Sequence, residues 1–189
     1  MTGISRSSKE FAILGLLAIS PKSGYDIKKE VETVLSHFWN ESYGSIYPIL
    51  RRLDKDGLAE REAVDSAKGP KRYVYTVTAD GLAEFEDWLQ QPVQPTPPRS
   101  EFLLKLFFGR FTSTASVLKL IRDYGEGTRR MHSMLTRIHA TVSQEESSDP
   151  GFPFWELTMQ CGLKSMESLM GWCEATVQHL ESRNGEESQ

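Results

Sequence analysis

Between Tyr43 and Arg52 the chain reads Tyr-Gly-Ser-Ile-Tyr-Pro-Ile-Leu-Arg-Arg, and this segment with its neighbours carries the functional signal. Helical spacing turns Ile46, Ile49, Leu50 and Leu53 to one side. That leaves Tyr43, Gly44, Ser45, Tyr47, Arg51 and Arg52 for solvent or for a ligand. Small residues at the start of such a helix let its backbone come close to a groove. Hydroxyls and guanidinium groups suit base edges and phosphates. Pro48 falls in the first turns, where a missing N–H is tolerated.

Two further cationic patches flank this segment. Lys68, Lys71 and Arg72 surround Gly69-Pro70, with no acid between Asp65 and Asp80, and a basic turn of this kind can lie along phosphates or probe a minor groove. Tyr25, Lys28 and Lys29 sit near the start of another helical stretch, where backbone N–H groups also favour phosphate. Any one of these cations taken singly also fits a solvated face; their grouping is the signal.

The elements that must position them are short and varied. Phe11, Leu14, Leu17 and Ala18 share one face of a first helix that stops near Ser20-Pro21. Ser23 caps a second helix with Ile27, Val31, Val34, Leu35 and Phe38 on its apolar side. The third helix starts around Ser42 and ends at Gly57. The period then changes to two: Leu58 to Val64 and Arg72 to Val77 read as strands around the 65–70 turn. Thr78 caps a fourth helix that packs through Leu82, Phe85 and Leu89. Three helices, a hairpin and a helix in about ninety residues are the order of a winged helix-turn-helix, with the third helix as the groove reader.

The segment 91–98 carries four prolines and cannot continue a helix. We assign 1–91 to the winged helix domain, 92–99 to a Pro-rich linker, 100–184 to a helical dimerisation domain and 185–189 to a disordered tail. The fold class is mainly α with a small β-hairpin. Beyond a short helix at 102–111 carrying Leu103, Leu106 and Phe107, two long seams follow. Val117, Ile121, Tyr124, Thr128, Met131, Leu135, Ile138 and Val142 form one. Met159, Leu163, Met166, Met170, Cys173, Val177 and Leu180 form the other. Each holds heptad spacing for about three heptads. The second seam is the expected dimer interface, since a lone two-helix hairpin offers such helices little surface to bury. Phe154, Trp155 and Trp172, with Phe152, are candidate linings for an effector pocket, although tryptophans at helical spacing also serve as plain core anchors.

Other functions find less support. The net charge of −4 requires any nucleic-acid surface to be a local concentration of cations. His37, His132, His139 and His179 have no metal-ligand partners at useful spacing, and no nucleophile elbow, phosphate loop or dinucleotide fingerprint occurs. No enzyme activity, cofactor or metal is expected. Cys161 and Cys173 are twelve residues apart on one helix, too far to bridge within a chain. With no signal-peptide pattern or apolar span, a cytoplasmic location is expected. The acidic balance leaves a winged helix used only for protein contacts as the alternative.

The motifs taken together resemble the PadR family. The resemblance is carried by Phe11-Ala12-Ile13-Leu14-Gly15-Leu16-Leu17, Ser23-Gly24-Tyr25-Asp26-Ile27, and Gly44 to Leu53 followed by Gly57-Leu58. Arg72-Tyr73, Tyr75, Thr78 and Gly81 complete it. It covers the first ninety residues densely; the second half resembles the longer, virulence-activator type in length and helical pattern. The resemblance implies a homodimeric regulator that represses transcription from a palindromic operator. It places Tyr25 and Lys28 on phosphates, Gly44, Ser45, Tyr47 and Arg51 at the groove, and Lys68 to Arg72 on the wing. It also implies a phenolic or planar aromatic effector in some relatives.

Overall fold

A computed structural model describes residues 6–33, 35, 38–39, 46–64, 72–93, 99–145 and 147–186. The chain divides into two compact units, 1–95 and 96–189. In the first, α1 (Ser8–Ile19), β1 (Lys22–Ser23), α2 (Gly24–Thr33) and α3 (Ile46–Lys55) precede β2 (Ala59–Val64), β3 (Arg72–Val77) and α4 (Ala79–Leu89). This is the winged helix expected from the motif order. Helix α1 is its centre: Phe11, Ile13, Leu14, Leu16 and Leu17 are all buried, so apolar residues cover more than the single face read from the sequence. Around it close Ile27 and Val31 of α2, the Ile46, Ile49, Leu50 and Leu53 stripe of α3, and Leu58, Ala59 and Tyr75 of the sheet.

Helix α3 ends as its sequence dictates. Gly57 takes φ +76°, a conformation open to glycine, and Leu58 N–H reaches back to Leu53 O at 2.9 Å, closing the helix end. Strands β2 and β3 pair antiparallel from Ala59↔Val77 to Val64↔Arg72. The turn joining them, with Lys68 and Lys71, lies outside the described residues. The sheet has a third strand that the sequence did not announce. Lys22 and Ser23 pair with Tyr75 and Val74, giving the order β1-β3-β2. Two residues are too few to show a period.

Thr78 locks the sheet to α4. Its hydroxyl donates to Gly57 O at 2.7 Å and accepts from Gly81 N–H at 3.0 Å, and its own N–H bonds Leu58 O at 3.0 Å. Helix α4 then packs through aromatic rings. Trp88 stacks on Phe11 at 4.7 Å and Phe85 fills the space beside Gly15. Leu82 and Leu89, expected to pack, are exposed instead. The stacked rings and Gly81 set the helix's rotation.

In the second unit, α5 (Glu101–Phe107) and a 3₁₀ turn (Gly109–Phe111) lead into α6 (Thr114–Glu145) and α7 (Phe152–Glu186). No described helix is long and apolar enough to cross a membrane. Helices α6 and α7 form an antiparallel hairpin, with Asp149 Oδ1 accepting from Gly151 N–H at 2.6 Å in the turn. Ion pairs lace one edge. Arg122 meets Glu181 and, one heptad on, Arg129 meets Glu174 at 2.9 Å. The inward face of α6 carries Leu118, Ile121, Gly125 and Leu135, with Thr128, His132, His139 and Val142 half-buried beside them. The sequence seam shared Ile121, Thr128, Leu135 and Val142 with this face. It substituted Tyr124 and Met131, which are exposed, for Gly125 and His132. Glycine belongs in the seam because a Cβ at 125 would sit 3.2 Å from Cys173 Cβ.

Gly81→Ala tests the sheet-to-helix lock, because an added Cβ would stand 2.0 Å from Leu58 O. Urea unfolding should show a loss of about 1–3 kcal/mol. By contrast Gly171→Ala on α7, where a Cβ meets nothing within 4 Å, should gain about 0.5–1 kcal/mol from helix propensity.

Candidate nucleic-acid interface

With its apolar stripe committed to the core, α3 turns Tyr47 and Arg51, one helical turn apart, to the outside. The Tyr47 ring leans on the first residue of α2: a Cβ added at Gly24 would lie 2.6 Å from Tyr47 Cε1. This contact sets the Tyr47 phenol beside the start of α2, next in the chain to the exposed Tyr25. Lys28 and Lys29 follow on the exposed side of α2, with the Lys28 ammonium 3.7 Å from Glu32. Arg51 forms no ion pair with a described residue. Tyr43, Gly44 and Ser45 lie outside the described residues.

Arg52 is open to solvent, as read from the sequence, and also pairs through Nε with Glu10 of α1 at 3.0 Å. Glu10 is only 4% exposed, and a carboxylate so far from water must be paired. It accepts from Ser7 N–H at 2.9 Å and from Arg6 at 3.3 Å. Arg6, itself buried, continues to Asp56 at 2.9 Å and Glu84 at 2.6 Å. Burial alone would lower the Arg6 pKa, but its hydrogen bonds to Asp56 and Glu84 outweigh that and raise it. This network joins α1, the end of α3 and α4, and the sequence offered no sign of it. Its members are far apart along the chain.

Arg72 is also engaged. At the first position of β3 it donates through Nη2 to Ser23 Oγ at 2.8 Å and to Asp26 Oδ2 at 2.5 Å. Asp26 and Ser23 are themselves joined at the start of α2. Ser23 N–H and hydroxyl donate to the carboxylate at 3.1 and 2.7 Å, and Asp26 N–H returns to Ser23 Oγ at 3.3 Å. The Ser23 hydroxyl, opposed by partial burial and helped by the Ser23 N–H and Arg72, holds the Asp26 pKa below its ordinary value. A further cation appears on the wing: Arg61 pairs with Asp54 at 3.1 Å and lies over Tyr73.

The aromatic residues of the second unit do not gather into one pocket. Phe154 is exposed and Trp155 packs beside Gly151 at the hairpin turn. Trp172 lies about 25 Å further along α7, edge-on to Phe102, which stacks on Tyr124 at 3.8 Å. Of the α7 seam, Cys173 is buried within the chain, and burial raises its thiol pKa. Val177 and Leu180 pack on the cluster of Phe102, Ile121 and Cys173. Met159, Leu163, Met166 and Met170 are half-buried. The seam's apolar face is thus largely spent inside the hairpin.

A three-helix core with a two-stranded wing and an outward-facing third helix defines the winged helix-turn-helix class of DNA-binding regulators. Residues 13–87 match the model of the transcriptional regulator PadR-like family, and residues 98–181 that of the virulence activator alpha C-terminal region. The chain is 30% identical over 175 residues to the negative transcriptional regulator PadR of Bacillus subtilis, covering 89% of this chain and 94% of the relative. The structure of B. subtilis PadR in complex with operator DNA superposes with a TM-score of 0.81 at 27% identity, covering 92% and 99% of the two chains. Its complex with p-coumaric acid gives 0.74 at 28% identity over 91% and 98%. The chain belongs to the PadR-like family of transcriptional regulators.

The two adjacent arginines of α3 should separate in a stability assay. Arg52→Ala leaves Glu10 short of a partner and should cost about 1 kcal/mol in urea unfolding. Arg51→Ala, on an open surface, should stay within about 0.5 kcal/mol of the parent.

Proposed function

We propose that this regulator is a sequence-specific repressor that binds a palindromic operator as a homodimer and is released by a small aromatic effector. The outward placement of Tyr47 and Arg51, opposite the buried stripe of α3, carries the reading. In this reading Tyr43, Gly44 and Ser45 are assigned to the groove, Tyr25 and Lys28 to phosphates, and Lys68 and Lys71 to the DNA backbone. Repression and the aromatic effector are supported by likeness to the B. subtilis negative regulator and to its complex with p-coumaric acid.

For the dimer, α6 offers free apolar surface in addition to that of α7, where Phe154, Leu157 and Trp172 are also exposed. Beside the stripe that faces α7, α6 carries a second heptad series: Val117, Leu120, Tyr124, Gly127, Met131, Met134 and Ile138. Met131 and Met134 are 44% and 43% exposed. Two such helices related by a two-fold axis bury one another's stripe. Leu103, Leu104 and Phe107 of α5 add exposed apolar area to the same unit. A two-fold reader of this class expects half-sites about 34–36 Å apart.

Gel shift with the DNA upstream of the protein's own gene, at several salt concentrations, tests the DNA reading. Affinity should fall steeply as salt rises, and Tyr47→Ala/Arg51→Ala should abolish the specific complex while thermal melting is kept. Retained operator affinity in that variant removes α3 from its assigned role.

Sedimentation tests the dimer. The parent should be dimeric at micromolar concentration, and Met131→Glu/Met134→Glu should be monomeric with unchanged helicity. A monomeric parent discards the dimer, and a dimeric variant moves the interface off α6.

A further inference from the structure

The Ser23–Asp26–Arg72 cluster is built more elaborately than a helix cap requires. Ser23 and Asp26 alone make the reciprocal pair that starts α2, the arrangement of a capping box. Arg72 comes from 46 residues away and donates from one nitrogen to both members. It does so where β1 ends against β3, with Ser23 paired to Val74. The ladder between β1 and β3 is only two residues long, and so short a strand is a weak tether. The guanidinium extends that tether by two more residues along β3, from sheet hydrogen bonds at Val74 into a charge-assisted bond at Arg72. Ser23 is 1% exposed, so the anchor on the α2 side is part of the core.

Two consequences follow from this geometry. The turn-side end of the β2–β3 ladder, where Arg72 pairs with Val64, is held to the start of α2, the end of the helix to which Tyr25 and Lys28 also belong. The Arg72 nitrogen that faces this cluster is already occupied by protein acceptors, in a molecule whose other wing cations, Lys68 and Lys71, stand near the turn tip in sequence. We propose that Ser23 and Asp26 are positioning residues for the wing: they hold Arg72, and with it the start of β3, against α2, so that Arg72 sets the stance of the wing rather than serving as a phosphate ligand. The proposal rests on the DNA-binding reading for its functional outcome and on the free protein for the clamp itself.

The test uses the full chain with Arg72→Gln, Asp26→Asn and the double variant. The duplex is one selected with the parent protein from a random-sequence library. A phosphate ligand and a positioning residue differ in salt dependence. Losing one phosphate contact lowers the slope of log affinity against log salt by about 0.9. A positioning residue lowers affinity without changing the slope. Arg72→Gln and Asp26→Asn should each weaken binding about tenfold at the parent's slope, and the double variant should be no weaker than either single one. Lys28→Gln, assigned to a phosphate, should show the lowered slope and so calibrates the assay. A lowered slope for Arg72→Gln, together with full or tighter binding by Asp26→Asn, overturns the proposal. It would make Arg72 a phosphate ligand with which Asp26 competes.

Amide exchange on the free protein provides the arm that does not need DNA. Exchange across 72–77 should quicken to the same extent in all three variants. Unchanged exchange in the single variants discards the clamp whatever the DNA result. Failure of the parent to bind any duplex instead discards the DNA reading, and the exchange result alone then decides the clamp.

Discussion

Glu10 sits nearly out of water in the first turn of α1, and a carboxylate there is costly unless cations and donors surround it. The donors it has found decide much of the winged helix. Arg52 ties α3 to this carboxylate, and Arg6 carries the same network to the turn after α3 and to α4. With the Ile46, Ile49, Leu50 and Leu53 stripe in the core, Tyr47 and Arg51 are left facing out. Losing one partner of such a network leaves Glu10 short of a hydrogen bond out of water.

The wing repeats this logic with different chemistry. Backbone hydrogen bonds join β1 to β3 over two residues only, and a side-chain cluster reinforces the joint from the α2 side. Thr78 and Gly81 hold the opposite end of the hairpin, where backbone approaches backbone too closely for any Cβ. The β2–β3 ladder is thus held at both of its ends.

In the second unit the decisive feature is that α6 carries two heptad stripes side by side. One faces α7, and small residues there let the helices close: Gly125 receives Cys173, and Gly162 receives Leu135. The other leaves Tyr124, Met131 and Met134 exposed. A helix with two adjacent apolar stripes is suited to a bundle of more than two helices, which is the physical basis of the two-fold assembly proposed above.

Much of the fold was legible in the residues themselves. Helical spacing, the Gly57 helix end, the Thr78 cap and the period-two runs of β2 and β3 are local properties, and local properties survive into any tertiary setting. The outward position of Tyr47 and Arg51 followed for the same reason, as the complement of an apolar stripe. Where the reading missed, the deciding contact was long-range. Arg52 and Arg72 looked like free cations because their carboxylate partners, Glu10 and Asp26, lie 42 and 46 residues away. Leu82 and Leu89 looked like core because α4's true face is set by ring stacking with Phe11. Gly125 and His132 vanished from the α6 seam because apolarity alone cannot register a glycine that makes room for a neighbour. Sequence by itself thus determined which elements form and which face each must bury. Only the tertiary structure decided which charges are spent inside the protein, because pairing a buried charge depends on what folding brings beside it.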